Sequence, residues 1–296
     1  MVASFGKSST ASDVTRGIAL GGKTALVTGV NSGIGFETMR ALAACGAHVI
    51  GTARTLDKAA AATAQVPGSV MPLACELEDL VSIRACAEAV AATGRPLDIL
   101  IANAGVMALP KRELVRGVEK QFATNHLGHY LLVRLLQSQV EAATGSRVVI
   151  VSSEAHRQAP SVGIDFADLD ASRKYGPWLA YGQSKLANIL FAASLARRLG
   201  NGATANSLHP GVIRTNLGRH MNPVLSVALG LFMRPMSKSV EQGAATSCYV
   251  AVRPEIEGVT GQYFSDCAVA TPTRQARDET LAERLWVESE RLVGLD

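Results

Sequence analysis

No Cys-x-x-Cys pair occurs in the 296 residues, and the five cysteines, Cys45, Cys75, Cys86, Cys248 and Cys267, share no regular spacing. An odd, unpaired set in a chain this long excludes a disulfide framework and a zinc site and points to reduced thiols in a cytoplasmic setting. Residues 1–15 lack the apolar centre of a secretory leader. The apolar stretch 224–233 is far too short to span a bilayer, so no transmembrane segment is expected. Lysine and arginine are scattered despite a net charge of +4, with no basic stripe carrying aromatics, which argues against a nucleic-acid partner. Apart from the alanine run at 59–64 there is no repeat and no low-complexity tract.

With 48% hydrophobic and 18% charged residues, the chain reads as a globule with a sizeable core: one domain over 21–296 behind a loosely held tail at 1–20. Near-continuous apolar runs at 24–28, 47–53, 69–74, 98–102, 147–151, 204–208 and 261–265 predict strands. Helical patterns fall at 36–45, 80–92, 113–141, 186–199 and 278–292. That alternation is the mark of an α/β fold whose parallel sheet is covered on both faces. The helix headed by Tyr181 is apolar nearly all round, so it should be buried all round, one face on the sheet and the other on a second copy of the chain. Segment 216–236, with Met221, Leu225, Leu229, Phe232 and Met233, reads either as a buried core helix or as a cover over an apolar substrate.

Residues 17–24, Gly-Ile-Ala-Leu-Gly-Gly-Lys-Thr, match the phosphate-binding pattern G-x-x-x-x-G-K-T. A working loop of that kind needs a strand before it and a helix after it. Here a polar tail precedes it and a strand follows, so the match is rejected. A second glycine motif, Thr28-Gly29-Val30-Asn31-Ser32-Gly33-Ile34-Gly35, does stand between a strand and a helix. That order aims free backbone N–H groups and the positive helix end at one point, where a pyrophosphate can sit. At the end of the second strand, where dinucleotide folds read the adenosine ribose, stand Ala53 and Arg54. A carboxylate there would accept from both ribose hydroxyls; an arginine instead offers charge to a 2′-phosphate, so NADP(H) is the expected cofactor.

Tyr181 and Lys185 are four residues apart at the head of a helix, hence neighbours on one face. A free phenol titrates near pH 10, and acting as acid or base at neutral pH needs a shift worth roughly 4 kcal/mol. An ammonium about 4 Å away, at an effective dielectric of about 20, contributes on the order of 4 kcal/mol to the phenolate, so the pair is expected to supply much of its own tuning. Asn125, inside the helix predicted for 113–141, needs either exposure or a specific partner. Ser152 and Ser153 follow strand 147–151 at its carboxyl end, the edge where open α/β sheets bind ligands. Neighbours there point to opposite faces, so only one of them can serve.

Taken in order, Thr28-Gly29-x-x-x-Gly33-x-Gly35, Asn103-Ala104-Gly105, Asn125, Ser153, Tyr181-x-x-x-Lys185 and Pro210-Gly211-x-x-x-Thr215 resemble the short-chain dehydrogenase/reductase family over nearly the whole chain. Asn125-His126-Leu127-Gly128-His129-Tyr130 and Tyr181-Gly182-Gln183-Ser184-Lys185-Leu186-Ala187-Asn188 are similar to its retinol-dehydrogenase-like and protochlorophyllide-reductase-like branch. The resemblance implies a doubly wound, seven-stranded parallel Rossmann sheet and an oxidoreductase that interconverts a carbonyl and an alcohol on a small apolar molecule. It implies roles as well. Tyr181 would be the general acid and base, Lys185 would hold the nicotinamide ribose and favour the phenolate, Ser153 would hydrogen-bond the substrate oxygen, and Asn125 would hold a relay water.

By the same resemblance Gly29, Asn31, Ser32, Gly33, Ile34 and Gly35 would cradle the pyrophosphate and Glu76 and Leu77 would flank the adenine. Asn103, Ala104 and Gly105 would line the adenosine side, and Pro210, Val212 and Thr215 would meet the nicotinamide. Met107, His156 and Trp178 are candidate substrate walls, and no metal is implied. The family usually has aspartate where Glu76 stands, and the gap from Ser153 to Tyr181 is longer than in most members. Two other readings share these motifs: a reductase of a carbon–carbon double bond, and a dinucleotide-sensing regulator that turns nothing over. A homodimer or homotetramer is the expected assembly.

Overall fold

The computed structural model describes residues 5–213 and 237–296. The chain opens with α1 (Ala11–Thr15), then alternates β1 (Thr24–Thr28), α2 (Gly33–Ala44), β2 (His48–Ala53), α3 (Leu56–Thr63), β3 (Val70–Ala74), α4 (Leu80–Ala92) and β4 (Ile99–Ala102). A short hairpin, β5 (Leu114–Val115) and β6 (Val118–Glu119), leads into α5 (Lys120–Phe122), a π-helical turn (Ala123–Leu127), α6 (Gly128–Leu135) and α7 (Gln137–Glu141). Then come β7 (Arg147–Val151), α8 (Pro177–Ala196), β8 (Thr204–His209), α9 (Val240–Val252), β9 (Tyr263–Ser265), β10 (Ala268–Val269) and α10 (Glu279–Val293).

The main sheet runs β10-β9-β8-β7-β4-β1-β2-β3. The seven expected strands pair in parallel, and β10 adds a short antiparallel eighth on β9. Because β1 to β3 step one way and β4 onward the other, a crevice opens at the carboxyl ends of β1 and β4. Strand alternation divides the interior. Leu26, Leu100 and Ile150 enter one core with residues of α4, α6, α8 and α10, whereas Val27, Ile101 and Val149 enter the other with residues of α2 and α9.

The helix expected over 113–141 does not form as one piece. Arg116 and Gly117 take φ of 50° and 80°, which folds Leu114–Glu119 into the hairpin before helix begins. Neither α3 nor α9 has a counterpart in the sequence expectation, although α9 carries a readable capping box, Ser239 with Gln242. In place of a loosely held tail, residues 5–20 lie on the body of the protein. A Thr10–Asp13 capping box starts α1, and Ala11 and Val14 are fully buried against α2 and α9.

Helix α8 is indeed buried nearly all round, from Ala180 to Ala192, but within one chain. The sheet covers one side, and α10, the π-helical turn and the turn Glu154–Gln158 cover the rest. Its burial therefore requires no second copy, and self-association does not follow from it. Residues 224–233 and the remainder of the cover segment lie outside the described residues. The described residues on either side of it are joined: Lys238 N–H donates to Val212 O at 2.7 Å, and Ile213 pairs with Lys238. Among the described residues no helix is long and apolar enough to cross a membrane.

Candidate active site

β1 ends at Thr28 and delivers the glycine turn beside the end of β4. Thr28 Oγ accepts from the N–H groups of Asn103 and Ala104 at 2.9 and 3.0 Å, and Asn103 Nδ2 donates to Thr28 O at 2.8 Å, so three hydrogen bonds tie the two loops together. Gly29 has φ of 73°, and a Cβ there would lie 2.9 Å from Ala104 Cα; a Cβ on Gly35 would lie 2.5 Å from Asn103 Nδ2. Ser32 caps α2 without a side-chain bond, which leaves first-turn N–H groups unpaired just where Asn31, Ser32, Gly33, Ile34 and Gly35 line a cleft of about 540 Å³. The same cleft runs past Ala53, Arg54, Glu76 and Leu77 to Asn103, Ala104 and Gly105.

These residues fit a dinucleotide: free N–H groups at a helix end, a cradle that a single Cβ would fill, and a guanidinium at the far end. Arg54 Nε contacts Glu76 Oε2 at 3.0 Å, a pairing that the motifs did not foretell because the two residues meet only across neighbouring strand ends. Thr52, Lys58, Cys75 and Thr124 also line the cleft and were missed; for Lys58 the available signal was its place one turn beyond Arg54. Pro210 is buried and Val212 is exposed, neither is among the described residues that line this cleft, and Thr215 lies outside the described residues.

Gly105 links cleft to chemistry, since a Cβ there would sit 3.6 Å from Lys185 Nζ and 2.8 Å from Asn125 Oδ1. Lys185 Nζ lies 5.7 Å from the Tyr181 ring centroid and donates to Val151 O at 3.0 Å, an acceptor shared with Asn188 Nδ2, also at 3.0 Å. Ser153 Oγ accepts from Ala155 N–H at 3.2 Å, which leaves its hydroxyl proton free to donate, and the hydroxyl stands close enough to the Tyr181 phenol to favour its ionised form. Ser152 points the other way and donates to Lys185 O at 2.6 Å.

Asn125 stands in the π-helical turn, a feature common at functional sites. Its Oδ1 accepts from Val106 N–H at 2.8 Å, and its Nδ2 donates to Val106 O and Ser184 Oγ, both at 2.9 Å. The specific partner expected for a mid-helix asparagine is thus the loop after Gly105. With both amide protons and Oδ1 engaged in this way, the Asn125 side chain holds that loop. Its main-chain oxygen meets His129 Nδ1 at 3.0 Å, and His129 Nε2 meets Thr28 Oγ at 2.9 Å.

Burial governs both titrations at the centre. Desolvation pushes the Tyr181 phenol up to about 12 against the opposing Ser153 hydrogen bond, and it pulls the Lys185 ammonium down to about 8. This corrects the expectation of a self-tuned pair, which weighed one ammonium's attraction without the cost of burying both groups at 9% and 4% exposure. Because the folded value of Lys185 lies below its usual 10.5, the folded state carries the cost of the charge below about pH 8 and sheds it as pH rises toward 10.5. Lys185→Met should therefore raise the unfolding free energy by about 2 kcal/mol near pH 7 while removing turnover, with the gain shrinking toward about pH 10. Urea denaturation at the two pH values checks this; equal or lower stability of the variant at neutral pH would contradict it.

Trp178 is 47% exposed and meets the Tyr181 ring edge-on at 6.0 Å. Met107 lies partly buried in a loop where Ala108 takes φ of 48° and Leu109 O accepts from the Tyr175 hydroxyl at 2.5 Å. His156 does not join them as a substrate wall. It is 1% exposed, its Nδ1 donates to Ser153 O at 2.7 Å, and its Nε2 accepts from Thr273 N–H at 3.2 Å. Both ring nitrogens are engaged by backbone, so neither remains for a substrate.

Comparison with known proteins agrees with this geometry. The short chain dehydrogenase family profile matches residues 23–167. "Short-chain dehydrogenase TIC 32 B, chloroplastic" from Brassica napus is 43% identical over 98% of this chain and 94% of its own length. Human "Retinol dehydrogenase 13" is 43% identical over 93% and 86%, and human "WW domain-containing oxidoreductase" 41% identical over 97% and 72%. Among solved structures, an uncharacterized protein from Mycobacterium paratuberculosis superimposes with a TM-score of 0.78 at 35% identity, covering 97% of this chain and 98% of that one. The chain belongs to the short-chain dehydrogenase/reductase family of nicotinamide-dinucleotide oxidoreductases, in its retinol-dehydrogenase-like branch.

Proposed function

We propose that this protein is an NADP(H)-dependent oxidoreductase that interconverts a carbonyl and an alcohol on an apolar small molecule, with Tyr181 moving the proton. The observation that carries the reading is the meeting of the Ser153 hydroxyl, the Tyr181 phenol and the Lys185 ammonium beside Gly105, the last residue of the Asn103–Ala104–Gly105 turn that lines the cleft. The bound nicotinamide supplies the two-electron chemistry. Ser153, with one lone pair engaged by Ala155 N–H, has its hydroxyl proton to donate to the substrate oxygen. Tyr181 gives that oxygen its proton in reduction and takes one from it in oxidation. Lys185, held by Val151 O, stabilises negative charge as it develops on the phenol. A relative named for retinol and the apolar ring of Trp178 next to Tyr181 both support an apolar substrate.

Arg54 supports NADP(H) over NAD(H). Its side chain is more than half exposed and held by one carboxylate, Glu76, so it can turn to a 2′-phosphate, with Lys58 on the same cleft wall. Arg54→Ala should weaken NADPH binding by about tenfold or more and NADH binding by less than about threefold, as fluorescence titration would measure. Equal losses would sink the assignment. A panel of ketones, aldehydes and enones with NADPH, followed at the nicotinamide absorbance band, tests the reaction itself. Turnover confined to enones would favour double-bond reduction, and tight binding with no turnover would favour a sensor.

A further inference from the structure

The peptide group joining Ser153 to Glu154 is held at both ends by imidazoles from different parts of the fold. Its carbonyl, Ser153 O, accepts from His156 Nδ1 at 2.7 Å; its N–H, on Glu154, donates to His209 Nδ1 at 3.2 Å. His156 belongs to the turn Glu154–Gln158, whereas His209 is the last residue of β8, directly before Pro210. The partners fix the tautomers. Ser153 O can only accept, so His156 carries its proton on Nδ1 and offers bare Nε2 to Thr273 N–H at 3.2 Å. Glu154 N–H can only donate, so His209 Nδ1 is bare.

Burial keeps both rings neutral. The His209 imidazole is pulled down to about 4 despite Glu154 and Asp266 nearby, with Lys238 adding to the depression, and His156 is lowered as well. The Tyr263 ring, 5.2 Å away and nearly edge-on, holds His156 in place.

We propose that His156 and His209 form a clamp on this peptide that sets the direction of the Ser153 hydroxyl, which makes both of them positioning residues for the reacting oxygen. The clamp rests on the role given to Ser153 above. Ser153 leaves β7 in extended conformation, φ −159° and ψ 154°, and its Oγ is anchored by Ala155 N–H, one peptide beyond the clamped one. Rotation of the Ser153–Glu154 peptide would swing that N–H away and let the hydroxyl turn off the substrate. Ser153 O also accepts from His156 N–H at 3.0 Å, so the main chain of the turn holds the carbonyl, and the two imidazoles add a side-chain hold at each end of the same peptide.

The test compares His156 and His209 variants in the wild-type and Ser153→Ala backgrounds, with NADPH and the panel carbonyl reduced fastest. Asparagine at 156 keeps a donor and at 209 keeps an acceptor near the same place, whereas alanine keeps neither. The alanine variants should lose about tenfold or more in kcat with NADPH affinity unchanged, and the asparagine variants should recover most of it. In the Ser153→Ala background the same alanine changes should cost less than about twofold, because residues acting through one hydroxyl do not add. A full loss in both backgrounds overturns the clamp. Full activity of Ser153→Ala itself overturns the role of the serine instead, a separate and visible failure. If an alanine variant does not fold, leucine replaces it as the arm lacking donor and acceptor; asparagine and leucine variants of equal activity overturn the clamp.

Discussion

Tyr181→Phe is expected to lower kcat for carbonyl reduction by about a thousandfold or more while leaving NADPH affinity within a few fold. The substitution removes one oxygen and little else. The ring stays buried on α8 and keeps its edge contact with Trp178 at 6.0 Å. A folding defect is therefore not expected, and melting temperature together with NADPH titration separates lost chemistry from lost structure. On the proposed roles, Ser153 would still polarise the substrate oxygen once the phenol is gone, yet no group at that position could transfer a proton. Turnover retained within about tenfold would contradict the role given to the phenol.

Gly35→Ala should be the most damaging change in the cofactor cleft. The added Cβ would lie 2.5 Å from Asn103 Nδ2 and closer still to Gly29 O, and both neighbours are constrained. Gly29 N–H donates to Thr52 O at 2.8 Å, and Asn103 Nδ2 donates to Thr28 O at 2.8 Å, so relief means breaking the contact that joins the ends of β1 and β4. Stability should fall by about 1–3 kcal/mol, as for other overpacked sites. Dinucleotide affinity should fall on the order of a hundredfold, since the unpaired N–H groups of α2 would no longer converge. Gly21→Ala is the control, with nothing within 4 Å of its added Cβ and no positive φ. NADPH binding by Gly35→Ala within about twofold of wild type would show that the cleft does not hold the dinucleotide as described.

Much of this site was legible in the sequence because its parts are local. The glycine turn, Asn103–Ala104–Gly105, the Ser152–Ser153 pair and Tyr181–Lys185 each lie within a few residues of one element end, and the alternation of strands and helices sets which ends share an edge. What sequence did not show was set by contacts between distant segments. Glu76 meets Arg54, His156 turns its two nitrogens to Ser153 and Thr273, and Asn125 closes on Val106. The electrostatic expectation failed for a related reason: spacing on a helix shows that Lys185 neighbours Tyr181, but only packing shows that both are nearly dry. The second side of α8 was assigned to a partner chain because nothing in its own residues names α10 as its cover. The hairpin at Arg116–Gly117 was overlooked because the apolar pattern around it also suits a helix.

The central claim is that the cleft and the phenol act together, so that a carbonyl carbon at Tyr181 is reduced by the dinucleotide bound along Gly29–Gly35. NADPH carrying deuterium at both C4 positions of the dihydronicotinamide, incubated in a single turnover with wild-type protein and an aldehyde or ketone, measures this directly. The account predicts one deuterium on the carbinol carbon of the product with wild type and no such product with Tyr181→Phe. Bound NADPH that passes no deuterium to any carbonyl, or equal transfer by the two proteins, would contradict it.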